Sequence, residues 1–149
     1  MGNSLKVDPK GRLKIPMTLL TTLKGRGAEF YVTSEDGNSV RIYPMQVWNE
    51  VEGQLERRSL RNMNNQKLLA RVKYFGQAVT MDSQGRVLIP IVLRNSAEMK
   101  GAVDVLDYAN YLEVWNHARL MDNLKSDPIT AQDEKTLNEM SSASGSSWQ

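Results

Sequence analysis

Alternating polar and apolar residues indicate short β-strands near the start of the chain. Residues 12–15 alternate with a period of two, which is typical of a half-buried strand. The apolar runs 30–33 and 40–43 flank Asp36-Gly37-Asn38, a sequence typical of a β-hairpin. We therefore expect a small β-rich unit in this part of the chain.

A helical period follows this β-rich part. Beyond Pro44, apolar residues recur at helical spacing, at Val47, Trp48, Val51 and Leu55. After a polar break, apolar residues within 68–72 suggest another helix. We expect a helical connector here, with Trp48 packed in a core or an interface rather than against a nucleic-acid base.

The chain contains an internal repeat. The stretch Asp8–Pro16 recurs as Asp82–Pro90, with Asp, Gly, Arg, Ile and Pro matched in place. Two β-like runs, 103–106 and 111–115, follow the second copy as a hairpin follows the first. The chain is therefore predicted to hold two homologous units.

These patterns predict a domain organisation in four parts. The parts are a first unit at 2–46, a helical connector at 47–74, a second unit at 75–118, and a short helix with a disordered tail at 119–149. The tail is assigned as mobile because residues 141–147 are almost all Ser, Ala and Gly.

Each copy of the repeat begins with a tight turn. Asp8 and Asp82 occupy the first turn position, where an Asp side chain can accept a hydrogen bond from the backbone two residues on. Gly11 and Gly85 close the two turns. We assign these four residues a structural role in the turns.

The charge is unevenly distributed along the chain. Residues 1–74 hold 13 Lys and Arg against 7 Asp and Glu, whereas residues 75–149 hold 6 against 10, so net charges of +6 and −4 combine to +2. This asymmetry indicates an anionic partner for one side, or attraction between copies of the chain.

The basic residues of the two turns are the candidate binding residues. Arg12 follows a rigid turn, a placement that suits bidentate contact with phosphate or guanine, and Lys10 and Lys14 flank it. Arg86 holds the matching position in the second copy, with Gln84 beside it. Each arginine can also pair with the Asp of its own turn, and the two roles are compatible.

The sequence argues against enzyme, metal and membrane chemistry. It has no cysteine and a single histidine, His117, and it shows no phosphate-binding loop or metal-ligand spacing. Asp8 and Asp82 could be paired as catalytic carboxylates, but turn capping already explains both. We expect no catalytic residues, metal, cofactor or small-molecule substrate. No apolar run in the sequence is long enough to cross a membrane.

The two Asp-x-x-Gly-Arg turns, each followed by Ile-Pro, resemble those of the MraZ family of bacterial transcriptional regulators. The resemblance spans residues 5–120 and includes the Tyr43-Pro44 step, the approach at 71–76 and the stretch 87–94. It implies an α+β, mainly β fold. Two swapped-hairpin AbrB-like units would form a double-split β-barrel pseudo-dimer, with connecting helices and a mobile C-terminal tail.

The resemblance also implies a function. Chains would assemble into a ring-shaped homo-oligomer that binds short direct repeats of double-stranded DNA in the promoter of the cell-division and cell-wall gene cluster. The protein would act as a repressor in the cytoplasm, associated with the nucleoid. Arg12 and Arg86 would occupy the positions of the family's DNA-contacting arginines, with Lys10 and Lys14 beside the first. Two alternatives remain: an antitoxin-like AbrB regulator, and a structural ring or scaffold protein that does not bind DNA.

Overall fold

The computed structural model describes residues 3–147. Gly2, which opens the predicted first unit, and residues 148–149 of the predicted tail lie outside the described residues. The chain divides into two compact units, one ending at His117 and the other beginning at Ala118. The predicted boundaries at 46/47, 74/75 and 118/119 stay predictions.

Strands and helices alternate along the chain in two similar series. The strands are β1 (Asn3–Val7), β2 (Arg12–Lys14), β3 (Glu29–Thr33), β4 (Val40–Pro44), β5 (Gln77–Thr80), β6 (Arg86–Leu88), β7 (Gly101–Asp107) and β8 (Leu112–Asn116). The helices are α1 (Met17–Leu20), α2 (Met45–Ser59), α3 (Met63–Phe75), α4 (Ile91–Ser96), α5 (His117–Ser126) and α6 (Ala131–Ser147).

All eight of these strands join one antiparallel sheet, in the order β5-β3-β4-β8-β7-β1-β2-β6. The two strands at the ends of this order, β5 and β6, also contact each other, so the sheet forms a nearly closed barrel. The prediction of an α+β, mainly β fold is therefore confirmed.

Strands from the two halves of the repeat pair with each other in this sheet. Strand β1 of the first half pairs with β7 of the second, from Asn3 opposite Val105 to Val7 opposite Gly101. Strand β5 of the second half pairs with β3 of the first. Each half therefore depends on the other for some of its strand pairing. This is expected for units that are too small to bury a sufficient core by themselves.

One apolar core joins the two halves. Leu13 of β2 lies directly opposite Val87 of β6, and both side chains are fully buried. Ile15 and Ile89 are buried in the same cluster, so the alternation predicted for residues 12–15 is confirmed, and the second copy shows the same pattern. Because both repeats contribute to this cluster, the repeats are one folding unit rather than two independent domains.

The helical connector packs on one face of the sheet. Trp48 of α2 is buried and stacks on Tyr31 of β3, with ring centroids 4.3 Å apart. Tyr43 of β4 and Val72 of α3 belong to the same cluster. The predicted helices and the predicted core role of Trp48 are confirmed.

The C-terminal segment contains two helices, α5 and α6. Helix α6 spans Ala131–Ser147, where the sequence pattern predicts no regular structure. A capping box begins it: the Thr130 amide donates to Asp133 Oδ2 at 3.0 Å, and the Asp133 amide donates to Thr130 Oγ1 at 3.1 Å. The sequence pattern did not predict this helix, and the expected mobility of the tail stays a prediction. Local capping, rather than an apolar stripe, determines where this helix begins.

Candidate nucleic-acid interface

The first Asp-x-x-Gly-Arg turn is held by its own aspartate. Asp8 Oδ1 accepts the amides of Lys10 and Arg12, both at 2.9 Å, and Oδ2 accepts Arg12 Nε at 2.8 Å. Gly11 donates its amide to the Asp8 carbonyl at 2.9 Å and has a φ of 84°, which favours glycine. Arg12 therefore leaves the turn from a backbone with little freedom to move.

The second turn has the same construction. Asp82 Oδ1 accepts the amides of Gln84 at 2.9 Å and Arg86 at 3.0 Å, and Oδ2 accepts Arg86 Nε at 2.7 Å. Gly85 has a φ of 78° and donates its amide to the Asp82 carbonyl at 3.0 Å. The sequence identity of the repeat thus extends to its hydrogen bonds.

Both aspartates are held in the charged form. Hydrogen bonds from the arginine amides, opposed by desolvation and reinforced by the guanidinium groups, lower the pKa values of Asp8 and Asp82 below their ordinary value of 3.8. A carboxylate with a lowered pKa whose oxygens are both occupied is poorly suited to general acid–base chemistry. The turns are therefore structural supports for the arginines.

The two turns meet where the halves join. The amide of Ile15 donates to the Gly85 carbonyl at 3.0 Å, and the amide of Ile89 donates to the Gly11 carbonyl at 2.8 Å. These reciprocal bonds fix each turn against the strand of the other copy. The strands that follow the two turns consequently share one outer surface.

That surface is the outer side of the β2–β6 pair. Arg12 lies opposite Leu88, and Lys14 lies opposite Arg86, while the intervening Leu13–Val87 pair is buried. We call the outward-facing set Arg12, Lys14, Arg86 and Leu88 the paired-strand face. Lys10 and Gln84, the other two candidates, are exposed within their turns rather than in this strand pair.

The paired-strand face concentrates positive charge. Lys14 and Arg86 are direct cross-strand neighbours, an arrangement that is unfavourable for like charges unless an anion lies between them. Each arginine binds its aspartate through Nε, and the terminal nitrogens of both arginines form no hydrogen bond within residues 3–147. Those nitrogens can bind a phosphate or a base edge while the turn remains intact.

Sequence reasoning did not single out Arg94, which lies against the first turn. Its Nε donates to the Ile89 carbonyl at 2.8 Å, and its side chain occupies the space into which a Cβ on Gly11 would project. A difference between the two copies of the repeat could have drawn attention to Arg94. The fourth residue after Pro90 is Arg94, whereas the fourth residue after Pro16 is Leu20.

The described residues give little support to a metal-binding, histidine-based catalytic or membrane-spanning role. Within 3–147, no group of His, Cys, Asp and Glu side chains is arranged to hold a metal ion. The single histidine, His117, places Nδ1 2.7 Å from Oδ2 of the buried Asp104. No helix in the part of the chain that the structure describes is long and apolar enough to span a membrane.

The fold and the duplicated turns define a class of protein: a duplicated AbrB-like barrel in which the two motif strands, β2 and β6, pair with each other. The family model described as "MraZ protein, putative antitoxin-like" matches residues 76–140. The chain is 44% identical over 135 residues to a transcriptional regulator MraZ of Acidobacterium capsulatum, covering 90% of this chain and 92% of that protein. It is also 44% identical over 137 residues to the MraZ regulator of Koribacter versatilis, covering 91% and 93% of the two chains. A third relative, from Thiobacillus denitrificans, is 32% identical over 117 residues and covers 78% of this chain and 79% of its own length.

The chain therefore belongs to the MraZ family, and it is a transcription regulator. The resemblance noted from its two turns is confirmed. Membership in a family of transcriptional regulators also agrees with the expectation that the protein is not an enzyme.

Proposed function

We propose that this protein is a repressor that binds double-stranded DNA through the paired-strand face. Its targets are short direct repeats in the promoter of the cell-division and cell-wall gene cluster. It acts in the cytoplasm, associated with the nucleoid, and it requires no cofactor. The observation that carries the proposal is the β2–β6 pairing, which gathers Arg12, Lys14 and Arg86 on one exposed face.

The geometry of this face suits a DNA groove. A two-stranded β-ribbon fits the major groove of B-DNA, and arginine binds guanine O6 and N7 through two parallel hydrogen bonds. The aspartates fix the origin of each arginine side chain, so less conformational freedom is lost on binding. Lys10 and Lys14 add sequence-independent attraction to the phosphates.

The two motifs contribute unequally in this proposal. Arg12 has Lys10 and Lys14 as neighbours in sequence, whereas Arg86 lies between Gln84 and Leu88. The first copy therefore provides most of the contact, and Arg86 assists from across the strand pair. Tandem DNA repeats compensate for a weak contact per chain, because linked sites raise the effective concentration of the next site.

A homo-oligomeric ring would supply those linked contacts. The helical connector exposes large apolar side chains, namely Leu60 between α2 and α3 at 82%, and Met63 and Tyr74 of α3 at 79% and 71%. Exposed apolar groups on packed helices favour association with a partner surface. Light scattering should report a large oligomer at micromolar concentration, and a monomer there would contradict ring assembly.

Three single substitutions test the DNA interface by fluorescence anisotropy at two salt concentrations. Arg12→Ala should lose about 1–3 kcal/mol of specific binding, the range for removal of a bidentate base contact. Lys14→Ala should weaken binding to all sequences and reduce the salt slope by roughly one unit, as loss of a phosphate contact would. Arg86→Ala should weaken binding less than Arg12→Ala and lower the melting temperature more.

The matched control is Lys135→Ala, which removes one charge from exposed α6 and should leave binding unchanged. If Arg12→Ala binds like wild type while Arg86→Ala abolishes binding without unfolding, the roles of the two motifs are reversed. No binding by the wild-type chain at low salt would instead favour a scaffold protein. Equal affinity for DNA with one box and with three boxes would contradict cooperation between repeats.

A further inference from the structure

Arg94 of α4 crosses the first turn and is bonded behind it. Its Nε donates to the Ile89 carbonyl at 2.8 Å. A Cβ built on Gly11 would collide with Nε, Cδ and Cζ of this side chain. The arginine therefore lies directly on the glycine of the turn that presents Arg12.

The same residues are joined by a continuous series of hydrogen bonds. The Ile89 amide donates to the Gly11 carbonyl at 2.8 Å, and the Gly11 amide donates to the Asp8 carbonyl at 2.9 Å. Arg94 thus binds the carbonyl of the residue whose amide holds the turn. Moving the first turn away from Ile89 would require Arg94 to move as well.

The second turn has no such support. The repeat places Leu20 where Arg94 stands, and an aliphatic side chain cannot donate a hydrogen bond. A Cβ on Gly85 would meet only the Ile15 carbonyl oxygen, at an ordinary contact distance of 3.8 Å. The two turns share their sequence and internal bonds but differ in what covers them.

We propose that Arg94 is a positioning residue for DNA binding, which holds the first turn so that Arg12 is presented in one orientation. The inference rests on the proposed DNA-binding function and names a residue that acts through Arg12. Its physical basis is preorganisation, because a turn that is already fixed loses less conformational freedom when the complex forms. The second turn keeps its internal bonds and its bond to Ile15 but lacks this additional support.

Hydrogen exchange, resolved to single amides, tests the positioning step without DNA. In Arg94→Lys, the charge remains but the Nε donor is lost, so the Gly11 and Ile89 amides should exchange faster than in wild type. The Gly85 and Ile15 amides make the equivalent bonds around the second turn and serve as the internal control. Equal acceleration at all four amides, or at none, would overturn the positioning role.

DNA binding then tests whether positioning acts through Arg12. Arg94→Lys should weaken specific binding roughly 2- to 10-fold, the range for ordering one additional side chain, and leave the salt slope unchanged. In the Arg12→Ala background the same substitution should have no effect, because the residue that it positions is absent. Lys100→Ala is the charge control from the same part of the chain, and Arg94→Gln is a second variant if Arg94→Lys unfolds.

The outcomes separate this inference from the proposed function. If wild type binds DNA and the Arg94 and Arg12 substitutions are additive, Arg94 does not act through Arg12 and the inference is wrong while the DNA interface stands. Full binding by Arg94→Lys with a reduced salt slope in Arg94→Gln would make Arg94 a phosphate contact only. Absence of binding by wild type would reject the DNA interface itself, and hydrogen exchange would still decide whether Arg94 holds the turn.

Discussion

Alanine substitution of the two turn glycines compares nearly identical turns within one molecule. Gly11 and Gly85 have φ angles of 84° and 78°, in the left-handed region that side chains rarely adopt. A residue with a Cβ in this region costs about 1–2 kcal/mol. Gly85→Ala should therefore reduce the free energy of unfolding by about 1–2 kcal/mol, because nothing else is displaced.

Gly11→Ala carries an additional cost. The new methyl group would displace the Arg94 side chain and break its hydrogen bond to the Ile89 carbonyl. Since the far end of an arginine can rotate away, the additional loss is that of one hydrogen bond, roughly 1 kcal/mol. Gly11→Ala should therefore destabilise the protein more than Gly85→Ala by about that amount.

Urea unfolding at fixed protein concentration, followed by tryptophan fluorescence, measures this difference. Repeating both substitutions in an Arg94→Ala background provides the decisive control, since the additional cost at Gly11 should then disappear. Equal losses for the two glycines in the wild-type background would refute the reasoning. A difference that persists without Arg94 would refute it equally.

Three further predictions concern other parts of the chain. Because the pKa values of Asp8 and Asp82 are lowered in the folded state, their contribution to stability is fully present above the ordinary value of 3.8 and is lost as the pH falls through the lowered values. The dependence of the melting temperature on acid pH should therefore differ between wild type and the Asp8→Asn/Asp82→Asn double variant. Identical dependence would contradict this. Thr130→Ala removes the capping box with Asp133 and should cost about 0.5–2 kcal/mol of helix stability, seen as reduced helical circular dichroism; an unchanged spectrum would show that the cap is not needed. Leu13→Ala truncates a fully buried side chain and should cost about 2–5 kcal/mol in chemical denaturation, whereas a loss below 1 kcal/mol would place Leu13 outside the core.

Much of the local structure could be predicted from sequence because its causes are local. An Asp at the start of each turn, a glycine before each arginine and an alternating strand are all visible within residues 8–15 and 82–89. Helix α6 was missed because its residues lack an apolar period, although the Thr130-x-x-Asp133 capping box was readable.

The sequence by itself determined the repeat, the two turns, the hydrophobic alternation and the membership of Arg12 and Lys14 in one strand face. Only the tertiary structure decided that β2 pairs with β6, which places Arg86, from the acidic half of the chain, directly beside Lys14. The tertiary structure also decided that Arg94 covers Gly11 and leaves Gly85 without such cover. The charge counted along the chain could not show that Arg86 lies beside Lys14. The pairing of these distant strands is set by the shared core around Leu13 and Val87 rather than by neighbours in sequence.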